Sequence, residues 1–211
     1  DVDIVYPKTD LVLNTTDHNA YIKGYEDGTV RPDGRITRAE VATILYRLMK
    51  DQVKARFDSK PTVKFSDVSS GAWYYDAVQM CAKAGIVSGY PDGSFKPDQA
   101  STRAEFFKMV AMLYSDTLNT PITGKIFNDI NGHWAEKYIN LLQKLGIVKG
   151  YPDGSVKPNA NLTRGEAVSI MNRVLGRIVG DSSFSDPKVA AAMKTWPDCT
   201  SSHWAYAEIQ E

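Results

Sequence analysis

Gly89-Tyr90-Pro91-Asp92-Gly93, followed by Thr102-Arg103-Ala104-Glu105, decides how this chain folds, because the pair occurs three times. The first copy is Gly24-Tyr25-Glu26-Asp27-Gly28 with Thr37-Arg38-Ala39-Glu40, and the third is Gly150-Tyr151-Pro152-Asp153-Gly154 with Thr163-Arg164-Gly165-Glu166. From the first Gly to the Arg the offset is 14 positions each time (24 to 38, 89 to 103, 150 to 164), while the copies stand 65 and then 61 apart. Insertions are excluded within the unit and occur between units, so the unit is the element to be explained.

Downstream of the turn, Thr-x-x-Glu before an apolar run is a capping box: the hydroxyl accepts from the third helical amide and the Glu reaches back to the cap amide. The apolar stripe that follows is Val41, Ile44, Leu45, Leu48 in the first copy, Phe106, Met109, Val110, Leu113 in the second and Ala167, Ile170, Met171, Val174 in the third. Spacing of i, i+3, i+4, i+7 gives each copy one amphipathic helix for a shared core. Within the turn, Pro presets the second position, Asp bonds the backbone and Gly tolerates the exit conformation.

Upstream, the second unit is complete. Phe65-Ser66-Asp67-Val68 leads into a helix from about Ala72 to Ala84, with Trp73, Ala77, Met80, Cys81 and Ala84 at helical spacing and Gly85 as its left-handed cap. Residues 1–19 alternate weakly and read as short extended segments around Pro7; 51–64, 116–126 and 177–194 read as linkers with short extended or helical pieces. The C-terminal Trp196-Pro197-Asp198-Cys199 and His203-Trp204-Ala205-Tyr206 repeat Phe127-Asn128-Asp129-Ile130 and His133-Trp134-Ala135-Glu136, and no turn follows them. The tail therefore supplies the front of a unit whose back, residues 20–50, opens the chain. We expect one composite body over 1–211, with units at 20–50, 65–115 and 127–176 and with 196–211 completing the first.

The 211 residues carry 25 Lys plus Arg against 25 Asp plus Glu, so no global field draws the chain to nucleic acid or to an anionic membrane, and ionic recognition must be local. No apolar run approaches the ~18 residues of a membrane span. The abrupt start and end read as a piece of something longer. Both cysteines, Cys81 and Cys199, fall at apolar repeat positions and are expected as free buried side chains, with a disulfide or metal pair as the lesser alternative.

The Phe-x-Asp and His-Trp-Ala lead-in, the Gly-Tyr-Pro-Asp-Gly turn and the Thr-Arg-Ala-Glu helix start resemble the S-layer homology (SLH) family. The likeness covers nearly the whole chain apart from residues 1–19 and the linkers. It implies a mainly α, pseudo-threefold bundle of helix–turn–helix units with grooves between neighbours. It also implies a wall anchor of the extracellular surface that binds secondary cell-wall polysaccharide, often through a pyruvate ketal on a terminal N-acetylmannosamine, or modified peptidoglycan. Other surface-layer subunits are a further possible partner, and self-assembly of a surface layer is the alternative function.

Candidate ligand contacts follow the repeat. Arg38, Arg103 and Arg164 sit at the first helical position, where a cation opposes the helix dipole. Each either pairs with a carboxylate, for which Asp67, Asp129 and Asp198 are the candidates, or joins the helix N-terminus in holding an external anion. Arg31, Lys96 and Lys157 recur seven positions ahead of those Arg, as loop charges or ligand contacts. Gly24, Gly89 and Gly150 either take a positive φ or let something come close. Trp73, Trp134 and Trp204 plug the core or stack on a sugar face, with core the default, and Tyr25, Tyr90 and Tyr151 share that ambiguity. The capping Glu residues are assigned to structure. No cofactor, metal site or catalytic set is expected: three His lie without a Ser/His/Asp order, and the Asp-Gly turns lack the ligand spacing of a calcium loop. Gly165, in place of Ala, is expected to loosen its helix start by ~1 kcal/mol, which makes the groove of the third copy the weakest candidate.

Overall fold

A computed structural model describes residues 12–17, 20–117, 127–177, 179 and 193–211. Most of the extended run expected at 1–19, and most of the linkers at 116–126 and 177–194, lie outside them. Among the described residues the architecture is mainly helical: α1 Arg38–Leu48, α2 Asp51–Asp58, α3 Tyr75–Lys83, α4 Arg103–Ala111 running into a 3-10 turn at Met112–Thr117, α5 Glu136–Lys144, α6 Arg164–Val174 and α7 Tyr206–Gln210. Among the described residues, paired backbone is limited to isolated antiparallel bridges.

The three capping-box helices α1, α4 and α6 form the centre. In each the Thr side chain accepts from the N3 amide and the N3 Glu accepts from the cap amide. Their apolar faces meet in one core, in which Leu45, Phe106, Phe107 and Met171 are fully enclosed. The front helix of each unit leans on the central helix of the unit before it: α3 on α1, α5 on α4 and α7 on α6.

On the axis the chain makes a closed triangle. Ile36 N–H donates to the Leu162 carbonyl (3.0 Å), Leu162 N–H to Ser101 (3.0 Å) and Ser101 N–H to Ile36 (2.8 Å). Ser101 is wholly buried there, in the place of an aliphatic residue, because this position is held through its backbone.

A second threefold set ties each front to its turn. Asp67 accepts the backbone N–H groups of Phe95 and Lys96 (both 2.7 Å), Asp129 those of Val156 and Lys157 (3.0 and 2.7 Å), and Asp198 those of Val30 and Arg31 (3.0 and 2.7 Å). The tail thus stands to the first turn as residues 65–67 stand to the second. Arg31, Lys96 and Lys157 adopt left-handed φ of 50–57°, a conformation disfavoured for side-chain-bearing residues that the bidentate Asp cradle holds in place.

The structure corrects the front helix. It spans Tyr75–Lys83 rather than 72–84, so Trp73 precedes it and does not belong to its buried stripe; the left-handed cap at Gly85 (φ 76°) is as expected. The segment after α1, expected as a linker with short extended or helical pieces, contains the short helix α2, and Leu13 bridges to Met49 beside it. Cys81 and Cys199 are free and buried.

Candidate functional site: three grooves between units

Each groove is built from three units. The turn Gly-Tyr and the central helix of one unit form its floor, the Arg of a second unit reaches in from the side, and the Trp of a third front stands over it. The first groove combines Tyr25 and Glu40 with Arg164 and Trp73, the second Tyr90 and Glu105 with Arg38 and Trp134, and the third Tyr151 and Glu166 with Arg103 and Trp204.

The three Arg side chains are almost fully buried, at 4%, 7% and 3% exposure for Arg38, Arg103 and Arg164. Their carboxylate partners are the capping Glu residues of the next unit: Arg38 with Glu105 at 3.2 Å, Arg103 with Glu166 at 3.0 Å and Arg164 with Glu40 at 2.9 Å. The candidate carboxylates Asp67, Asp129 and Asp198 are not the partners, since their oxygens are taken by backbone amides. Each Arg Nε also donates to a carbonyl of the next unit, that of Phe95, Val156 or Val30. The helix N-termini are closed as well. The first and second amides of α1, α4 and α6 donate to loop carbonyls of an adjacent unit, at 2.8–3.0 Å, as Arg38 does to Gln99 and Ala39 to Pro97. An external anion therefore finds no free amide at those helix starts.

One Arg differs from its two equivalents. Arg38 Nη2 donates to Ser88 O (3.1 Å) and Arg164 Nη2 to Lys23 O (2.9 Å), whereas Arg103 Nη2 has no hydrogen bond among the described residues. Gly150, next to the matching carbonyl, is the one turn-opening Gly of the three with a positive φ, 65°. All three, Gly24, Gly89 and Gly150, are required by close approach: a Cβ would overlap the ring of Trp196, Phe65 or Phe127.

The tyrosines are sandwiched between cations. Tyr25 has Arg31 at 3.9 Å from its ring centroid and Arg164 at 4.7 Å, Tyr90 has Lys96 at 4.2 Å and Arg38 at 4.8 Å, and Tyr151 has Lys157 at 4.2 Å and Arg103 at 5.0 Å. Each hydroxyl donates to the capping Glu of its own unit. Burial pushes the three phenols up, reinforced by the Glu hydrogen bonds, to about 12 for Tyr25.

The tryptophans are not core. Trp73, Trp134 and Trp204 are 66%, 55% and 56% exposed, which overturns the core default and leaves three indole faces over three grooves. Gly165 finds its reason here: a Cβ would sit 2.9 Å from Ala205 Cβ and 3.0 Å from Trp204 Cζ2. The glycine that weakens the α6 start lets the Trp204 front come close.

Sequence reasoning missed a third cation on each groove wall. Arg47 donates to Tyr21 O (3.0 Å), Arg173 to Ile147 O (3.1 Å) and Lys108 to Ser88 Oγ (2.9 Å). A signal was available, since Arg47 and Arg173 both lie nine positions after the groove Arg of their own helix. The grooves also differ in size, the first enclosing about 640 Å³ and the other two about 170 Å³ each.

Comparison with known proteins supplies the family. The sequence model of the S-layer homology domain matches residues 1–42, 64–107 and 126–168. The chain is 35% identical over 204 residues to cell surface glycoprotein 1 of Acetivibrio thermocellus, covering 92% of this chain and 8% of that protein. It is 35% identical over 202 residues to the cellulosome-anchoring protein of the same organism (93% and 42%) and 30% identical over 179 residues to an S-layer protein of Bacillus licheniformis (83% and 20%). It thus spans less than half the length of each. Three matched stretches, each containing one turn and ending in the first turn of one capping-box helix of a threefold bundle, place this chain in the S-layer homology domain family.

Proposed function

We propose that the chain is a non-catalytic anchor that attaches a protein to the bacterial cell wall by holding secondary cell-wall polysaccharide in the grooves between units. The observation that carries this reading is the recurrence of one exposed indole over one buried guanidinium in three related grooves. An exposed Trp offers an apolar face for the C–H face of a sugar ring. Beneath it, the Arg–Glu–Tyr set fixes the groove wall, while Arg47, Lys108 and Arg173 supply positive charge for an acidic substituent such as a pyruvate ketal; Arg31 and Lys96 already pair with Asp27 (2.8 Å) and Asp92 (3.7 Å) of their own turns. In the third groove Arg103 Nη2 adds an uncommitted donor. The setting is extracellular, and the names of the anchoring and S-layer relatives support it.

The test is a calorimetric titration of the 211-residue chain with wall polysaccharide before and after mild acid removal of the ketal. Binding that vanishes with the ketal supports the acidic-sugar reading. Binding that persists rejects the ketal as the determinant, and no binding to either sample rejects glycan anchoring in favour of protein assembly.

A further inference from the structure

The first groove does not end where its two equivalents do. Arg47, in the last turn of α1, lines it and also lines a second cavity of about 480 Å³ between residues 14–17 and residues 49–54, whose lining includes Lys50 and Lys54 as well as Asp17 and Asp51. That cavity arises from how the end of α1 is flanked. Residues 12–14 run back antiparallel to the end of α1, with Asn14 N–H on Leu48 O (2.7 Å) and Lys50 N–H on Val12 O (3.0 Å), and α2 rises at once from Asp51. A polar recess is left between the returning strand and the new helix.

Arg47 stands at the junction with spare capacity. Its one hydrogen bond among the described residues is from Nη1 to Tyr21 O, it has no carboxylate partner among them, and it is partly buried. Desolvation, aided by the nearby Arg164, holds its pKa below the ordinary value. A half-buried cation without a counter-ion is costly unless something outside the chain supplies one. Its neighbours in the recess are amides, a hydroxyl, the ammonium groups of Lys50 and Lys54 and the carboxylates of Asp17 and Asp51, the first of which accepts from Asn14 (2.8 Å) and the second of which pairs with Lys54 (3.4 Å); this donor and acceptor set suits a hydroxyl-rich chain, and Arg47 is where a negative charge on that chain would be met.

We propose that the first groove continues past Arg47 into this recess, so that it binds a run of successive sugar residues of an anionic glycan, whereas the second and third grooves each take a single residue. The inference rests on the glycan-binding reading above and adds the length of chain recognised. The first cavity alone lies within the roughly 300–1,000 Å³ of a small-molecule site, and the recess extends it, while about 170 Å³ in the other two falls below that range.

The experiment titrates the 211-residue chain with size-fractionated oligosaccharides of one to four residues prepared from wall polysaccharide, alongside the double variant Gln52→Ala/Lys54→Gln. The expected result is an affinity that rises on the order of tenfold from one residue to three, a gain of ~1.4 kcal/mol, and that no longer rises in the double variant although its melting temperature is unchanged. Equal affinity for one and four residues overturns the extension and leaves the single-sugar reading standing. A length gain that survives in the double variant places the additional contacts elsewhere and also overturns it. If no fragment binds, the glycan reading itself has failed and the extension falls with it.

Discussion

Arg164 and Glu40, 124 positions apart in sequence, form an ion pair at 2.9 Å that joins the last capping-box helix to the first. With Arg38–Glu105 and Arg103–Glu166 it makes a closed circuit in which each unit gives an Arg to the next and receives one from the last. Each Glu serves its own helix cap, its own Tyr and a neighbour's Arg. Arg164→Ala leaves that carboxylate with a partner missing, and removal of one member of a buried pair costs ~3–5 kcal/mol. Urea denaturation should show that loss, and a loss below ~1 kcal/mol would mean that the pair behaves as a surface bridge.

Trp73→Ala and Trp134→Ala should separate binding from folding. Both indoles are more than half exposed, so stability should move within about 0.5 kcal/mol. Affinity for wall polysaccharide should fall by ~1 kcal/mol or more per groove in use, about fivefold. A substitution that leaves affinity intact identifies its groove as idle.

Gly24→Ala places a methyl group into the ring of Trp196, and overpacking of this kind costs ~1–3 kcal/mol. Gly71→Ala is the control, since a Cβ there meets nothing and φ is not positive, and its effect should stay within about 0.5 kcal/mol. Trp196→Leu should not rescue Gly24→Ala in a thermal melt, because a Cβ at position 24 also meets the Thr29 carbonyl oxygen at 2.7 Å and the indole is itself part of the core.

Truncation before Trp196 removes the Asp198 carboxylate from the Val30 and Arg31 amides and Trp204 from the third groove. The melting temperature should drop and polysaccharide affinity should weaken. A truncated chain with unchanged melting and binding would show that the tail closes nothing.

Alkaline pH should unfold the protein through its tyrosines. A phenol whose folded pKa is raised contributes stability that is fully present below its unfolded value, 10.0, and lost as pH rises through the folded one, about 12 for Tyr25. Melting temperature should therefore decline between about pH 10 and pH 12, less steeply in Tyr25→Phe. An absorbance titration of the phenolates that follows free tyrosine would refute this.

The sequence made the local layer legible. Capping boxes, the apolar stripe of the central helices and the glycine-closed turns are set by residues within one or two turns of each other, and they appear where the pattern places them, except that Leu113 falls in the 3-10 turn after α4. Partners chosen across units were not legible. Asp67 looked like the acid for a nearby Arg, yet two backbone amides surround it, and the Arg finds its acid a whole unit away. The tryptophans were misjudged because periodicity reports only which positions fall on one helical face, and Trp73 lies before its helix begins. The size of the first groove was hidden as well, because it depends on how residues 12–14 return along α1.

The three backbone hydrogen bonds among Ile36, Leu162 and Ser101 bear on how the molecule comes apart. In a linear repeat array the end modules fray one at a time, each held by one neighbour. Here there is no end module, since detaching any unit breaks two of the three central bonds and two of the three Arg–Glu links. The amides of residues 36, 101 and 162 should therefore exchange with deuterium together and at the slowest rate in the protein, and denaturation should show one transition rather than a staircase.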